Sequence, residues 1–566
     1  MIVRILRLKG APLAGMIFAL HPVCVEAVAW ISEQKSTLSA VFYLSSALIY
    51  LRFDQDRRKR LYFPALGLFI LALLSKTVTA TLPAALLVVL WWQKGRLEWK
   101  RDVSPLFPLI LVGAVAGLFT AWVERTDIGA HGPDFNLSAG RRFLIAGRAL
   151  WFYFSKWLWP YKLTFIYPRW QVNTGSAWQY LFPIGILVVF ILFAIVARRG
   201  ERGPLAALLY FSGTLFPVLG FLNVYPFLYS YVADHFQYLA SLAMVIPVAN
   251  LLAHLSNRIH GTPRVIIPAS ITIILATLTW RQSGMYSDPE TLYRETIDRN
   301  PLCWMAHNNL GNVLARLPAR SADAMQEYEA AVRIKPDYAE ANYNLANLLF
   351  KDDLPNAIAD YQTALRAKPD FSEAHANLGT ALARIPSRLP DAITEYKAAI
   401  RLEPGLAVTH YDLANTLSQI SDRLPEAIAE YRKAIELDPD YLEARYNLGN
   451  VLAKGPDHLP EAIVEYQTVL RMKPDFLEAR ISLGSVLGRI PDRVPEAIAE
   501  YEEALRLDPD SEKAHYNLGV VLAKVPGHSK EAIAQLEFVL RAHPDLAPVR
   551  QLIEQLRASP RTTLPK

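Results

Sequence analysis

The stretch PDYLEARYNLGNVLAKGPDHLPEAIVEYQTVLRMK (439–473) decides the fold. It holds two helical patterns around one turn, AKGPDHLP. The same frame recurs through the second half of the chain. Pro301, Pro336, Pro369, Pro404, Pro439, Pro474, Pro509 and Pro544 stand 35, 33, 35, 35, 35, 35 and 35 residues apart. A fixed period of this size marks a stack of small units, each of which needs its neighbours to bury its apolar face. Gly311, Ala346, Gly379, Ala414, Gly449, Gly484 and Gly519 recur in register and let two helices approach closely. Ala357/Tyr361, Ala392/Tyr396, Ala427/Tyr431, Ala462/Tyr466 and Ala497/Tyr501 sit at i, i+4 on one face of each second helix. The Pro-Asp that opens most copies stops one helix and caps the next.

Pattern and period match the tetratricopeptide repeat, a helix–turn–helix unit of about 34 residues. Most copies here carry one extra residue, in the turn. Seven repeats predict a superhelix with a concave groove. Two residues before the recurring small residue stand Asn309, Asn344, Asn377, Asp412, Asn447, Ser482 and Asn517. A side-chain amide both donates and accepts, so an amide at one place per helix can grip a peptide backbone. Arrays resembling that of O-GlcNAc transferase use such a ladder. The alternative is that Asn-Leu-Gly is repeat consensus with no ligand.

Outward from the repeats, the chain changes solvent. Of 566 residues 52% are hydrophobic, and they concentrate in residues 1–280. Apolar runs lie at about 11–30, 37–52, 61–75, 77–92, 104–123, 179–197, 204–223, 236–255 and 264–280, long enough or nearly so to cross a bilayer. FLIAGRALWFYFSKWLWP (143–160) is aromatic and carries Arg148 and Lys156, so it reads as interfacial or re-entrant. Two cysteines, Cys24 and Cys303, exclude a disulfide framework and any CxxC metal site. The net charge of +6 comes in short clusters between apolar runs, which sets topology and argues for no nucleic acid.

Those clusters are Arg4/Arg7/Lys9, RFDQDRRKR (52–60), QKGRLEWKR (93–101), RRGER (198–202) and SNRIHGTPR (256–264). Two runs separate each consecutive pair if 143–160 does not cross. The expectation is a cytoplasmic N-terminus, about nine crossings and extracytoplasmic repeats. The lean is to a bacterial inner membrane with a periplasmic domain. Arg141 and Arg142 fall on the outer side against the usual bias.

HPVCVEAVAWISEQKSTLSAVFYLSSALIY (21–50), LLSKTVTATLPAALLVVLWW (73–92), ADHFQYLASL (233–242) and SDPETLYRETIDRNP (287–301) come in this order before the repeats. In that order they resemble the transmembrane and tetratricopeptide-containing O-mannosyltransferase-like family, of GT-C architecture. The resemblance covers nearly the whole chain. It implies a lipid-phosphate sugar donor at the outer membrane face, a protein hydroxyl as acceptor, and repeats that present that acceptor. It also implies a catalytic acid in a first outer loop ahead of the HPVxxEAVAW segment. Here only about one helix precedes that segment, and MIVRILRLKGAPLAG holds no Asp or Glu. The catalytic acid is therefore expected upstream of Met1, and the chain as written is expected to be inactive in that reaction.

The transfer needs a base for the acceptor proton and a means to neutralise the departing phosphate. Lys76, between two apolar runs, is a candidate phosphate contact, or a lysine reaching to the interface. Arg141 and Arg142 are further phosphate candidates. His21, Glu26, Glu33 and Lys35 are read as an outer-face loop bordering the site, the alternative being that Glu33 and Lys35 simply mark the membrane boundary before Ser36 opens the next helix. His21 and Glu26 alone make a poor divalent-metal set, so no metal is expected. Asp234 and His235 either cap a helix or line the cleft.

The expected class is all-α, a polytopic membrane domain followed by an α-solenoid. Residues 1–280 form the membrane domain, 281–300 a linker, 301–543 seven repeats, and 544–566 a capping helix and tail. The expected function is a membrane glycosyltransferase-like protein that moves a sugar, mannose by resemblance, from lipid phosphate to Ser or Thr. Its expected partners are membrane lipid and a protein or peptide in the repeat groove. The alternative is a non-catalytic, membrane-anchored scaffold for envelope protein assembly.

Overall fold

A computed structural model describes residues 10–258 and 263–558, and every regular element in it is helical. The Arg4/Arg7/Lys9 cluster, part of the 256–264 cluster and the tail from residue 559 lie outside the described residues. The chain forms two compact units, the first ending at Pro336 and the second beginning at Asp337.

In the first unit the apolar runs fold as helices. Four stretches are long and apolar enough to cross a membrane: Ile31–Asp56, Trp99–Thr126, Ala177–Arg198 and Val265–Tyr286. A fifth results if Ala11–Leu20 and Pro22–Ala29, bent by 60°, count as one span. The bend follows from sequence. Pro22 disfavours helix at the residue before it, and His21 is extended (φ −79°, ψ 128°). The runs at 61–75, 77–92 and 204–223 give shorter helices, Lys59–Ser75, Leu82–Lys94 and Gly203–Leu215. Thirteen residues reach only about 20 Å. Length and composition by themselves therefore carry four or five crossings. The rest of the expected nine rests on short helices.

Lys59–Ser75 packs along Gln34–Asp56, where Ser46 donates to the Ala65 carbonyl at 2.7 Å. At the basic end of this group Lys94 reaches Asp54 and Asp102, each at 2.7 Å. Arg57 pairs with Asp54 and lies 3.6 Å from Asp102. Ala139–Leu158 is amphipathic, with Leu144, Ile145, Ala149 and Tyr153 buried. It passes so close to Leu181–Arg198 that a Cβ on Gly147 would lie 2.6 Å from the Pro183 nitrogen.

Residues 281–300, expected as a linker, hold the helix Pro289–Arg299, whose cap Asp288 accepts from the Thr291 N–H at 2.9 Å. This helix docks back onto the first unit. Arg299 donates to the Leu163 carbonyl, and Asn300 donates to the Ile166 carbonyl at 3.2 Å. The first repeat, Trp304–Leu314 with Ser321–Ile334, belongs to this unit too.

The second unit holds six further helix pairs and ends in Ala547–Ala558. The recurring small residue works against the second-helix tyrosine. A Cβ on Gly449 would lie 2.8 Å from Tyr466, and one on Gly484 2.8 Å from Tyr501. These tyrosines are about 1% exposed, and their rings supply much of the buried apolar area. A second recurrent device ties each first helix to its partner. His375 contacts Glu395 at 2.6 Å and the Pro369 carbonyl at 3.1 Å. One repeat unit further on, His410 does the same with Glu430 and Pro404. Arg445 and Arg480 occupy the same register and donate to Glu465 and Glu500 and to the Pro439 and Pro474 carbonyls.

Candidate functional site

The candidate site is built from two tracts far apart in sequence. The short helix Val25–Ala29 carries Glu26, and the 3-10 turn Asp234–Gln237 packs against it. Glu26, 1% exposed, accepts from the His235 backbone N–H at 3.0 Å and meets the His235 ring Nδ1 at 2.8 Å. His21 does not join Glu26. Its Nδ1 accepts from the Val23 N–H at 3.4 Å, so its Nε2 carries the proton and donates to the Trp157 carbonyl at 2.9 Å. Its ring stacks on Trp157 at 5.2 Å, so it is a structural cap at the helix bend. The His21/Glu26 pairing weighed for a metal is thus replaced by Glu26/His235. Among the described residues no group of three or more His, Cys, Asp or Glu side chains is placed to hold a metal ion.

Asp234 lies beside this pair and is buried. The Tyr167 hydroxyl sits 3.0 and 3.1 Å from its two oxygens. Burial, with the Glu26 charge nearby, holds the Asp234 carboxyl well above the usual carboxylate range. Gln237, also buried, has neither side-chain amide atom hydrogen-bonded among the described residues.

Lys76 occupies an extended break between Lys59–Ser75 and Thr77–Thr81. Its ammonium donates to Glu33 at 2.6 Å and to the Ser36 hydroxyl at 2.6 Å, and Ser36 donates to the same Glu33 oxygen at 2.5 Å. Lys35 lies 3.5 Å from the other Glu33 oxygen and is half exposed. Lys76 is thus an anchored cation, and its partner Glu33 is part of the site rather than a boundary marker.

Arg142 is placed otherwise. Its guanidinium donates to the Gly220 carbonyl at 2.7 Å, to Asn223 at 2.8 Å and to the Leu137 carbonyl at 3.2 Å. It also donates to the Phe135 and Phe221 carbonyls, both at 3.3 Å. Such a guanidinium is a staple between loops, with its donors spent on backbone. Arg141 is exposed at the start of the same helix, where its N–H is capped by Ser138 at 3.3 Å.

Elsewhere in the first unit the helices form an apolar cavity of about 1100 Å³, lined among others by Phe18, Tyr43, Leu86, Trp151, Phe211 and Val245. A space of this size and polarity suits a hydrocarbon chain.

In the repeats the ladder positions are half-buried. Asn377 donates to Asn347 at 2.9 Å and Tyr343 at 3.1 Å; Asn447 donates to Asn415 at 3.0 Å and Tyr411 at 3.2 Å. These amides bridge consecutive repeats. Asn309 donates to the Met305 sulfur at 2.8 Å and to Tyr293 at 3.4 Å. Asn344 is engaged as well, and Asn517 is half-buried. Asp412 holds the same register.

Models of the tetratricopeptide repeat match residues 321–353, 420–455 and 493–525, and a second such model matches 343–407. The chain is 25% identical over 333 residues to protein O-mannosyl-transferase F38B6.6 of Caenorhabditis elegans, covering 58% of this chain and 46% of that protein. It is 25% identical over 387 residues to human protein O-mannosyl-transferase TMTC1, covering 59% and 43%. The chain thus spans less than half the length of either relative. Among solved structures, YrrB, a tetratricopeptide protein described as having an unusual peptide-binding site, matches 33% of this chain and 95% of its own. Its identity is 22% and its TM-score 0.31. MamA matches 29% of this chain and 93% of its own, at 29% identity and a TM-score of 0.27. The chain is a tetratricopeptide-repeat protein that resembles the transmembrane O-mannosyltransferase-like family.

Proposed function

We propose that this chain is a membrane glycosyltransferase-like protein that holds a lipid-phosphate sugar donor in its first unit and an acceptor polypeptide on its repeats. The family reaction would move the sugar, mannose by resemblance, to Ser or Thr. One observation carries the reading. Glu26 and His235, from two of the four tracts that carry the family resemblance, bond to each other beside Asp234. The named O-mannosyl-transferase relatives support a glycosyltransferase-like role, and the four long apolar helices fit an integral membrane protein.

The residues divide the work as follows. The apolar cavity would take the lipid chain. Lys76, fixed by Glu33 and Ser36, would face the donor phosphate with Lys35 beside it. A preorganised cation in a dry site stabilises charge that develops on a leaving phosphate. Glu26 and His235 would orient the sugar side of the site, with Asp234 beside them. Both Glu26 oxygens are engaged by His235; by the family resemblance the base for the acceptor proton would come from a loop ahead of the His21 segment.

This same pairing of charges favours a second reading. With Lys76 neutralised by Glu33 and Glu26 bonded to His235, the site is also satisfied without a ligand. A non-catalytic scaffold would need no more. The two readings part on donor binding. Full-length protein in detergent is mixed with short-chain polyprenyl-phosphate mannose and followed by native mass spectrometry. One bound donor, lost in Lys76→Met, supports the transferase-like reading; no bound donor supports the scaffold.

A further inference from the structure

One step of the groove differs from its neighbours. Where Asn377 meets the preceding repeat it finds Tyr343 and Asn347, and where Asn447 does so it finds Tyr411 and Asn415. Asp412 has the same register, but its counterparts are Ala376 and Thr380. Alanine offers no hydroxyl. Thr380 spends its own proton on the Ala376 carbonyl at 3.1 Å and accepts from Tyr396 at 3.0 Å. Among the described residues the Asp412 carboxylate therefore takes no hydrogen bond, and no Lys, Arg or His lies within ion-pair distance. It is half-buried, and Ala376 stands where the other steps carry a tyrosine. Tyr411 stands next to it, with the Tyr441 ring 4.9 Å away.

A lone, half-buried carboxylate is matched by a cation, which gains a charge-assisted hydrogen bond. It is poorly matched by a backbone carbonyl, which an Asn would serve. We propose that Asp412 makes the repeat groove selective for polypeptide segments carrying a lysine or arginine side chain at this step. The proposal rests on the reading of the groove as a polypeptide site and adds what that polypeptide must carry. Burial pushes the Asp412 carboxyl up to about 6, a cost that a bound cation would offset.

The test uses the full chain in detergent and two fluorescent twelve-residue peptides of Ser, Thr and Ala, identical except for a central Lys or Gln. Anisotropy at pH 7.5 is expected to give about five-fold tighter binding of the Lys peptide, the scale of a partly exposed ion pair. Asp412→Asn should bring the two peptides level without weakening the Gln peptide. Ala376→Tyr, which restores the neighbouring steps' tyrosine, should do the same. Equal binding by wild type, or a preference that survives in Asp412→Asn, overturns the proposal and leaves the groove reading standing. Binding of neither peptide overturns both.

Discussion

Glu26 and His235, 209 residues apart, are joined by two contacts to the same carboxylate, one from the backbone N–H at 3.0 Å and one at the ring at 2.8 Å. The backbone bond fixes the start of the Asp234–Gln237 turn. The ring bond fixes the direction of the imidazole. Glu26 is buried and His235 largely so, so neither bond is readily replaced by water.

Glu26→Ala is expected to lower the thermal midpoint of the first unit strongly, because it leaves a buried N–H and ring nitrogen unpaired, at a cost of about 3 kcal/mol. Asp234→Asn should cost about 1 kcal/mol or less, since burial already disfavours the Asp234 charge and Tyr167 can still donate to an amide oxygen. Thermal unfolding of the detergent-solubilised chain compares the two. An Asp234→Asn loss as large as that of Glu26→Ala would contradict the assignment.

Asp412 predicts a pH effect with a definite sign. Its carboxyl titrates near 6 when folded and near the ordinary carboxylate value, about 4, when unfolded. The folded state thus binds more protons between those values, so wild-type stability falls as pH rises from about 4 to about 6 and stays lower above. Asp412→Asn lacks this loss. After allowing for solvent screening, the variant should gain about 1 kcal/mol on wild type at pH 7.5 and close to nothing at pH 4. Melting curves at the two pH values check it. An equal offset at both would show that the carboxyl is not perturbed.

Arg445 and Arg480 make the same two contacts as His375. His375→Arg should therefore leave repeat stability within about 0.5 kcal/mol, whereas His375→Ala should cost about 1 to 2 kcal/mol. Urea unfolding by circular dichroism separates the two. A variant His375→Arg as unstable as His375→Ala would show that the register does not accept a guanidinium.

Arg142→Ala would leave the Gly220 and Leu137 carbonyls without a donor and loosen the junction between Ala139–Leu158 and the loop after Phe216. A loss of about 2 to 3 kcal/mol is expected, with donor binding kept once the protein is cooled. Loss of donor binding in a variant that stays folded would return Arg142 to the phosphate site.

The repeats were legible because their chemistry is local and reiterated. Gly449 and Tyr466 are 17 positions apart, and the same pair recurs as Gly484 and Tyr501. The site was legible only in its parts. Glu26, Lys76, Asp234 and His235 stood out as ionisable groups in apolar surroundings, but their partners lie across the bundle and no period points to them. Glu33 read as a loop or boundary residue until the Lys76 ammonium was found on it. Arg142 read as a phosphate candidate because an arginine on the outer side satisfies a charge rule equally well by binding phosphate or five oxygens of its own chain. Asp54 and Asp102 drew no notice among basic neighbours, although they hold Arg57 and Lys94 together. The helix Pro289–Arg299 was passed over as a linker because its anchors, Leu163 and Ile166, lie far upstream.

The most direct measurement is donor binding at Lys76. Native mass spectrometry of the full chain with polyprenyl-phosphate mannose should show one donor bound to wild type, at least ten-fold weaker binding to Lys76→Met, and unchanged binding to Arg141→Ala. Wild-type protein that takes up no donor, or a Lys76→Met variant that binds it as well as wild type, would contradict the account.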